Sequence, residues 1–364
     1  MKCFAFDLGK VLFDFDYNIA LKKIESRVET SSQEIIHQLF FNDFAKDFEK
    51  GLIGAREFYE KFKNAFKLSA TYEEFIENWC DIFSLNTDVV GLVERLSYVY
   101  PVYLISNINE LHFEYLHKKY PDVFSLFNGL ILSYKAKSLK PEKEIYQLLR
   151  KISGHKYEDI IYVDDRPDLI CEAKQLNLAC INFTGFGELL SALNSHNIAI
   201  PTEEEKNILK SLKDKIKKHK RTLIVGIGNI DKSDDGLGIY LTEKIKDTTH
   251  LKTISAGSAV ENYLGKIEKE KPGLVIFADC ASNPTQTFGC FTPDNIKDLS
   301  LHLTHDGSLS LVVEYLQNIN CSDILFLAIN GFNFSLGNNL SKPAERELQI
   351  LGNFFAKHFS KERP

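Results

Sequence analysis

Four polar residues in the first half of the chain have the types and the order that phosphoryl transfer needs. Asp7, Ser106 and Asp165 each follow a short apolar run, and Lys140 precedes a proline. Open α/β sheets carry their chemistry at the carboxyl ends of the strands, so these residues are expected at one sheet edge. One carboxylate could attack phosphorus, another could bind Mg²⁺, and the hydroxyl and ammonium groups could bind phosphoryl oxygens. Each residue alone is a weak signal, but the four together predict covalent phosphoryl transfer.

A second set of residues in the other half has the chemistry of a metal site. Asp235 lies in a glycine-rich loop, Asp279 follows an apolar run, and His305 precedes a helical pattern. Two carboxylates and an imidazole suit a borderline divalent ion such as nickel or zinc. The Gly-x-Gly of residues 226–228 does not continue as a dinucleotide-binding fingerprint, because Asp231 stands where the third glycine belongs. The pattern therefore favours a metal over a nucleotide.

Alternating apolar runs and helical patterns predict the elements that position these residues. The predicted strands are 3–7, 102–105, 129–132, 160–163 and 179–183 in the first half, and 222–226, 251–255, 274–278 and 324–329 in the second. Such alternation is typical of α/β folds with parallel sheets. We therefore predict two three-layer αβα domains with mainly parallel, doubly wound sheets. Their bounds are residues 1–198, with a strand-free helical cap at about 16–90, a charged helical linker at 199–221, and residues 222–364.

Composition excludes several classes of protein. The 364 residues carry a net charge of −6, which argues against a general nucleic-acid binder. No apolar run approaches the roughly 20 residues of a membrane span, so no membrane partner is expected. The seven cysteines are scattered and form no C-x-x-C pair. This pattern is typical of reduced thiols, and we predict a cytoplasmic protein.

The first half resembles the haloacid dehalogenase-like hydrolases with a helical cap. The matching stretches are Phe6 to Leu12, Leu104 to Asn107, Lys140 to Glu142 and Val163 to Arg166. The resemblance implies that Asp7 is the catalytic nucleophile, which forms an aspartyl-phosphate on a small phosphate ester. It implies that Ser106, Asn107 and Lys140 bind phosphate, with Lys140 also counted as catalytic. It further implies a Mg²⁺ cofactor held by Asp7, Asp165 and the backbone carbonyl of Gly9.

One position departs from the pattern of that family. Most of its phosphatases carry an aspartate two residues after the nucleophile as general acid and base, and this chain has Gly9. A glycine carbonyl can still bind Mg²⁺, but the proton donor is missing. Losing general acid–base catalysis typically costs about 10²- to 10⁴-fold in rate. Asp14 and Asp16 are nearby carboxylates that could substitute, and a degenerate sensor domain is the alternative.

The second half, residues 222 to about 356, resembles the nickel–iron hydrogenase maturation endopeptidases. The shared residues are Gly226, Gly228, Asn229, Asp234 to Gly236, Gly238, Gly257 to Asn262, Asp279, Thr304 and His305. These enzymes trim the C-terminus of the hydrogenase large subunit after nickel insertion. The resemblance implies that Asp235, Asp279 and His305 bind the Ni²⁺ carried by that precursor.

We therefore predict a bifunctional two-domain hydrolase, a phosphatase joined to an aspartic-type endopeptidase of hydrogenase maturation. Its expected partners are a small phosphate ester and the large-subunit precursor. Two alternatives have one active half. In the first, a small-molecule phosphatase carries a C-terminal binding module. In the second, a maturation peptidase carries a phosphatase-like sensor domain.

Overall fold

The computed structural model describes residues 1–360 apart from 42, 283–286, 295–301, 304–305, 320 and 322. Its chain forms two compact units, Met1–Ile198 and Ala199–Pro364. The segment 199–221, which we predicted as a linker, lies within the second unit. Among the described helices, none has the length and apolar character needed to cross a membrane.

In the described residues of the first unit, five strands form a parallel sheet and two more form a short antiparallel pair. Its strands are β1 (Cys3–Phe6), β2 (Phe13–Phe15), β3 (Phe83–Leu85), β4 (Val102–Ser106), β5 (Gly129–Leu132), β6 (Ile160–Asp164) and β7 (Ala179–Asn182). Its α-helices are α1 (Tyr17–Ile24), α2 (Ser32–Phe41), α3 (Asp43–Glu49), α4 (Ala55–Phe66), α5 (Tyr72–Cys80), α6 (Thr87–Val99), α7 (Glu110–Lys119), α8 (Pro121–Ser125), α9 (Ser133–Ala136), α10 (Lys143–Ser153), α11 (Pro167–Gln175) and α12 (Phe186–Ser195). The sheet has the order β5-β4-β1-β6-β7, with every pair parallel.

Helices α1 to α5 form the predicted cap around an aromatic core. Phe58, Phe62 and Phe66 recur at helical spacing along α4 and are all buried. Trp79 from α5 packs against Phe62 and completes this cluster. A reciprocal capping box at Thr71 begins α5, because its hydroxyl accepts from the third residue of the helix. Aromatic burial therefore holds the cap together independently of the sheet.

One short strand, β3, corrects the prediction that the cap region 16–90 contains none, and its partner β2 ends just before that region. The antiparallel pair of β2 and β3 stands where the chain leaves and re-enters the sheet domain, with Phe13 opposite Leu85. Each strand has only three residues. A run of that length carries too few alternations to be distinguished from a loop.

The second unit contains a sheet of mixed direction. Its strands are β8 (Thr222–Ile227), β9 (Leu251–Gly257), β10 (Leu274–Ser282), β11 (Phe288–Phe291), β12 (His302–Leu303) and β13 (Asp323–Asn330). Its α-helices are α13 (Glu203–Lys218), α14 (Leu237–Lys244), α15 (Leu264–Glu270), α16 (Asp306–Asn318) and α17 (Lys342–Phe359). Strands β13, β10, β8 and β9 run parallel, whereas β11 and β12 are antiparallel additions. The predicted α/β class with mainly parallel sheets is confirmed in both units.

Helix α13, which carries the charged segment, is an integral part of the second unit. Its apolar stripe of Leu209, Leu212 and Ile216 is buried. Near its start, the buried carboxylate of Glu205 accepts two hydrogen bonds from Arg346 on α17, both of 2.8 Å. Such a bidentate pair has a defined geometry and resists separation. Apart from Glu205 and Lys206, which are buried, the charged residues of α13 form its solvated face.

Glu347, beside that ion pair, is a buried carboxyl group. It is 1% exposed, and its Oε2 has no hydrogen-bond partner among the described residues. Burial raises its pKa from the ordinary 4.5 to about 8, and the charge of Glu205 adds to this shift. Glu347 is thus protonated at neutral pH in the folded chain and ionised in the unfolded chain.

We expect the stability of the second unit to decrease as pH rises from about 4.5 to about 8. The folded state retains the proton of Glu347 over this range while the unfolded state has lost it, so unfolding is favoured by up to about 1.4 kcal/mol per pH unit. Glu347→Gln, which is neutral at every pH, should flatten this profile. Hydrogen–deuterium exchange of α17 between pH 5 and 8 measures this pH dependence of stability. Parallel profiles for the natural chain and the variant would rule out a protonated Glu347.

Candidate functional site

The first site lies where three adjacent strands of the parallel sheet end. Strand β1 lies between β4 and β6, so the residues that follow all three strands meet at one edge. Asp7 follows β1, Ser106 is the last residue of β4, and Asp164 is the last residue of β6. All three are buried. The sheet thus brings together residues that are about 100 and 60 positions apart in the chain.

Lys140 links two of the carboxylates in this cluster. Its Nζ lies 2.7 Å from Asp7 Oδ1 and 2.6 Å from Asp164 Oδ2, and its side chain is 2% exposed. Tyr162 also donates a hydrogen bond to Asp164 Oδ2. Asp164 was not among the predicted site residues. The only signal was that it forms an acidic pair with Asp165, and sequence alone could not distinguish the two.

Asn107 positions the backbone of Lys140. Its Nδ2 donates to the carbonyl oxygen of Lys140 at 3.0 Å, and its Oδ1 accepts from the Lys140 amide at 2.7 Å. Both ends of the Asn107 side chain are therefore engaged with Lys140. The side-chain geometry indicates a positioning residue, whereas the resemblance implied a phosphate contact.

Burial and charge have opposite effects on the protonation of this cluster. Burial raises the pKa of Asp7 despite the adjacent ammonium group of Lys140. Burial also disfavours the charge of Lys140, but Asp7 and Asp164 outweigh it and raise the pKa of Lys140. Lys140 is consequently a permanent cation. A buried cation beside Asp7 provides electrostatic stabilisation for an anion brought to that carboxylate.

A cavity of about 490 Å³ opens above Asp7, between the sheet edge and the cap. Its floor includes Asp7, Ser106, Lys140 and Asp165. The cap side is largely apolar and aromatic, with Phe15, Tyr17, Ile36, Leu39, Phe48, Phe58, Trp79 and Phe83 among the lining residues. A polar floor under an apolar wall suits a small ligand with one anionic end and one apolar end.

The acidic residues of the floor fit a divalent cation with oxygen ligands. One carboxylate oxygen from each of Asp7, Asp164 and Asp165 lies within 4.8 Å of the others. Three carboxylates and a nearby backbone carbonyl, such as that of Gly9, are the hard donors that Mg²⁺ prefers. Both oxygens of Asp164 are engaged, Oδ2 by Lys140 and Tyr162 and Oδ1 by the amide of Arg166. Lys140 contacts only Oδ1 of Asp7, so Asp7 and Asp165 are the carboxylates with an oxygen available to a cation.

The space beside Gly9 is filled by an aromatic ring. A Cβ atom at Gly9 would lie 2.9 Å from Cε1 of Phe15, so a side chain there would displace that ring. The two nearby aspartates do not line the cavity. Asp14 is exposed and pairs with Lys10 at 3.6 Å, and Asp16 caps α1 by accepting from the Asn18 amide. Neither is positioned to substitute for the missing acid.

In the second site, glycines allow the backbone to pack closely against the carbonyl oxygens of other residues. A Cβ atom at Gly228 would collide with the carbonyl oxygen of Asp235, and one at Gly238 would collide with that of Ala278. These contacts press the turn Ser233–Gly236 against β10, the strand that carries Asp279. The strand continues three residues beyond Asp279 to Ser282, further than we predicted. Glycine is needed at both positions because no side chain fits between the packed backbones.

The two predicted metal ligands of this site both lie near Cys280. Burial raises the pKa of Cys280, and the charges of Asp279, Asp235 and Asp234 raise it further, in that order. Asp279 is fully buried, and its Oδ1 accepts from the Cys280 amide at 2.8 Å. The third predicted ligand, His305, lies outside the described residues. The structure places Asp279 on β10 and Asp235 in the turn that packs against β10.

Asp234 and Asp235 have different surroundings although they are neighbours in sequence. Asp234 Oδ2 accepts hydrogen bonds from the amides of Phe332 and Asn333 at 2.8 and 2.9 Å. Ser341 donates twice to the same carboxylate, through its amide and its hydroxyl, both at 2.7 Å. No described residue donates a hydrogen bond to the Asp235 carboxylate. Asp234 thus anchors the loop before α17, and Asp235 is available to a ligand.

Replacement of each aspartate by asparagine should separate these roles. Asp234→Asn is expected to lower the free energy of unfolding of the second unit by about 2–4 kcal/mol, because an amide cannot accept all four hydrogen bonds. Asp235→Asn should change it by less than about 1 kcal/mol. Hydrogen–deuterium exchange of residues 332–341 measures the destabilisation caused by each variant. Equal destabilisation by the two variants would contradict the assignment.

Comparisons with known proteins find similar proteins for each half of the chain. Residues 1–175 match the family model described as haloacid dehalogenase-like hydrolase. The chain is 31% identical over 130 residues to a protein of Methanocaldococcus jannaschii named "putative hydrogenase maturation protease", covering 32% of this chain and 76% of that protein. This match lies in the C-terminal part of the chain.

Solved structures of haloacid dehalogenase family enzymes and of hydrogenase maturation proteases are also similar to parts of this chain. A haloacid dehalogenase family enzyme of Bacteroides thetaiotaomicron, in complex with magnesium and inorganic phosphate, is 24% identical. The match covers 50% of this chain and 93% of that chain, with a TM-score of 0.46. A NiFe hydrogenase maturation protease of Thermococcus kodakarensis is 26% identical, covering 42% and 99% of the two chains with a TM-score of 0.37.

Both predicted resemblances are confirmed, and with them the prediction of a hydrolase. Through its C-terminal part the chain belongs to the hydrogenase maturation proteases, and its residues 1–175 match the haloacid dehalogenase-like hydrolase model.

Proposed function

We propose that the first unit is a Mg²⁺-dependent phosphatase that acts through an aspartyl-phosphate on a small phosphate ester. The observation that carries this proposal is the position of Lys140 within 2.7 Å of Asp7 on the floor of a cavity. Nucleophile and cation are thereby held side by side, as attack on a phosphate dianion requires. The apolar wall of the cavity favours an ester whose alcohol has an apolar or aromatic part.

The chain's own residues divide the reaction between them. A carboxylate oxygen of Asp7 attacks phosphorus, and the bond from phosphorus to the leaving oxygen breaks. Water then attacks the same phosphorus, which releases phosphate and restores Asp7. Lys140 and the hydroxyl of Ser106 hold the phosphoryl oxygens in both steps. Mg²⁺, held by Asp7, Asp165 and the carbonyl of Gly9, would neutralise phosphate charge when bound.

Phosphate release from a panel of small esters tests this proposal. With the full-length protein we expect release that requires Mg²⁺ and stops when EDTA is added. The panel should contrast aryl and benzyl phosphates with sugar phosphates, because the apolar wall predicts a preference for the former. Absence of release from every ester by folded, Mg²⁺-loaded protein would leave the first unit as a sensor.

We also propose that the second unit trims the C-terminus of a hydrogenase large-subunit precursor that carries nickel. Family membership and the packing of the turn that carries Asp235 against β10, the strand that carries Asp279, support this second function. In this role Asp235, Asp279 and His305 would recognise the nickel of the substrate. Incubation with nickel-loaded and nickel-free precursor, followed by intact-mass measurement, is the test. We expect trimming of the loaded form only and its loss in Asp235→Asn, while normal trimming by His305→Ala would refute the ligand set.

A further inference from the structure

Glu49, at the end of α3 in the cap, lines the same cavity as Asp7. Of the cavity's described lining residues, only three carry a carboxyl group, namely Asp7, Asp165 and Glu49. The proposed function uses Asp7 as nucleophile and Asp165 as a metal ligand. Glu49 is therefore the one carboxyl group of the described lining that has no role in that chemistry.

Glu49 is tied to the phosphate-binding floor by its own backbone. The buried hydroxyl of Ser133 lies 2.7 Å from the carbonyl oxygen of Glu49 and accepts from the amide of Ile108 at 2.9 Å. Ile108 follows Ser106 and Asn107 in the loop after β4. One hydroxyl thus joins the Glu49 backbone to the loop that begins with Ser106.

The residues after Glu49 add two contacts to the segment that carries Lys140. Lys50 forms an ion pair with Glu142 at 2.7 Å, and the carbonyl of Gly51 accepts from Lys137. Gly51 has a φ of +66°, and a Cβ atom there would collide with the carbonyl of Tyr134. This turn of the cap is therefore held against the floor on both sides of Lys140, so the position of Glu49 relative to Asp7 is defined.

The Glu49 carboxyl group itself is available for chemistry. It forms no hydrogen bond or ion pair with a described residue, and it interacts electrostatically with Tyr17 and Arg166. Burial raises its pKa, which favours the protonated form needed to donate a proton. His112, which also lines the cavity, is packed against the rings of Trp79 and Phe83.

We propose that Glu49 is the general acid and base of the first unit and replaces the carboxylate that is absent at Gly9. In the first step, Glu49 gives its proton to the leaving oxygen as the bond to phosphorus breaks. In the second step, the resulting carboxylate takes a proton from the water that attacks the aspartyl-phosphate, which returns Glu49 to its protonated form. The assignment rests on the phosphatase function proposed above.

Two esters of similar shape but different leaving groups test this assignment. p-Nitrophenolate leaves without protonation, whereas the benzyl alkoxide of benzyl phosphate must be protonated. Glu49→Gln should reduce benzyl alcohol release by about 10²- to 10⁴-fold. With p-nitrophenyl phosphate it should still give one rapid equivalent of p-nitrophenolate and then turn over slowly, because the second step lacks its base. Glu60→Gln, an exposed glutamate of the same cap, is the matched control and should behave as the natural protein.

The outcomes separate this inference from the function on which it rests. If the natural protein is active and Glu49→Gln slows both esters in equal proportion from the first turnover, Glu49 is not the acid. If the selective loss on benzyl phosphate appears instead in His112→Asn, the role belongs to His112. If the natural protein hydrolyses neither ester in the presence of Mg²⁺, the phosphatase function fails and the assignment fails with it.

Discussion

Asp7→Asn is expected to reduce phosphate release by more than about 10³-fold, because the amide has no carboxylate oxygen to attack phosphorus. The substitution preserves the shape of the side chain and leaves Lys140 paired with Asp164 at 2.6 Å. The fold should therefore survive, and the loss should be one of chemistry. Acid quenching during turnover of a ³²P-labelled ester provides the direct measurement, since label should become covalently attached to the natural protein and not to the variant.

The control for this result is Asp14→Asn, which makes the same chemical change seven residues away. Asp14 is exposed and lies outside the cavity lining. Its replacement should leave the rate within about twofold of the natural protein, since an exposed ion pair contributes little. Turnover by Asp7→Asn at a comparable rate would show that phosphate release does not proceed through Asp7.

Lys140→Met should have a large effect on both activity and stability. Methionine removes the only cation that the structure places beside Asp7 and Asp164, and leaves two carboxylates buried without it. Removal of one partner from a buried ion pair typically costs about 3–5 kcal/mol. Phosphate release should also fall to background, because the ammonium group that lies beside Asp7 is lost. Urea denaturation monitored by tryptophan fluorescence reports on this unit alone, since Trp79 is the only tryptophan of the chain.

Two further variants test the physical reason for that destabilisation. Lys143→Met changes an exposed lysine three residues away and should leave the urea midpoint nearly unchanged. Adding Asp164→Asn to Lys140→Met should recover part of the lost stability, because it removes one of the unpaired buried charges. If the double variant is no more stable than Lys140→Met alone, the cost arises from packing and not from unpaired charge.

The position of Gly9 illustrates how a local departure from a motif is resolved in three dimensions. The sequence identified the missing acid and offered Asp14 and Asp16 as substitutes. The structure directs both of these side chains elsewhere, to an ion pair and to a helix cap, and fills the space beside Gly9 with Phe15. Glu49 carries no sequence signal, because nothing in its neighbours distinguishes it from other glutamates of the cap.

Local patterns of apolar residues were sufficient to predict the long strands of both sheets. Most of the long strands are apolar runs, and every strand that we predicted is present in the structure. The strands that were missed, β2, β3, β11 and β12, have two to four residues. Runs that short lack the periodicity that identifies a strand, and only their partners in the sheet define them.

The sequence by itself determined which residue types meet at the first site, because parallel strands bring their carboxyl ends to one edge whatever the details of packing. That reasoning brought Asp7, Ser106 and Lys140 to one predicted site, and the structure places them around one cavity. Only the tertiary structure decided between neighbouring carboxylates. Asp234 is engaged by Ser341, 107 residues away, and Asp164 by Lys140, 24 residues away. Hydrogen bonds formed across such distances depend on how the elements pack, which no local pattern records.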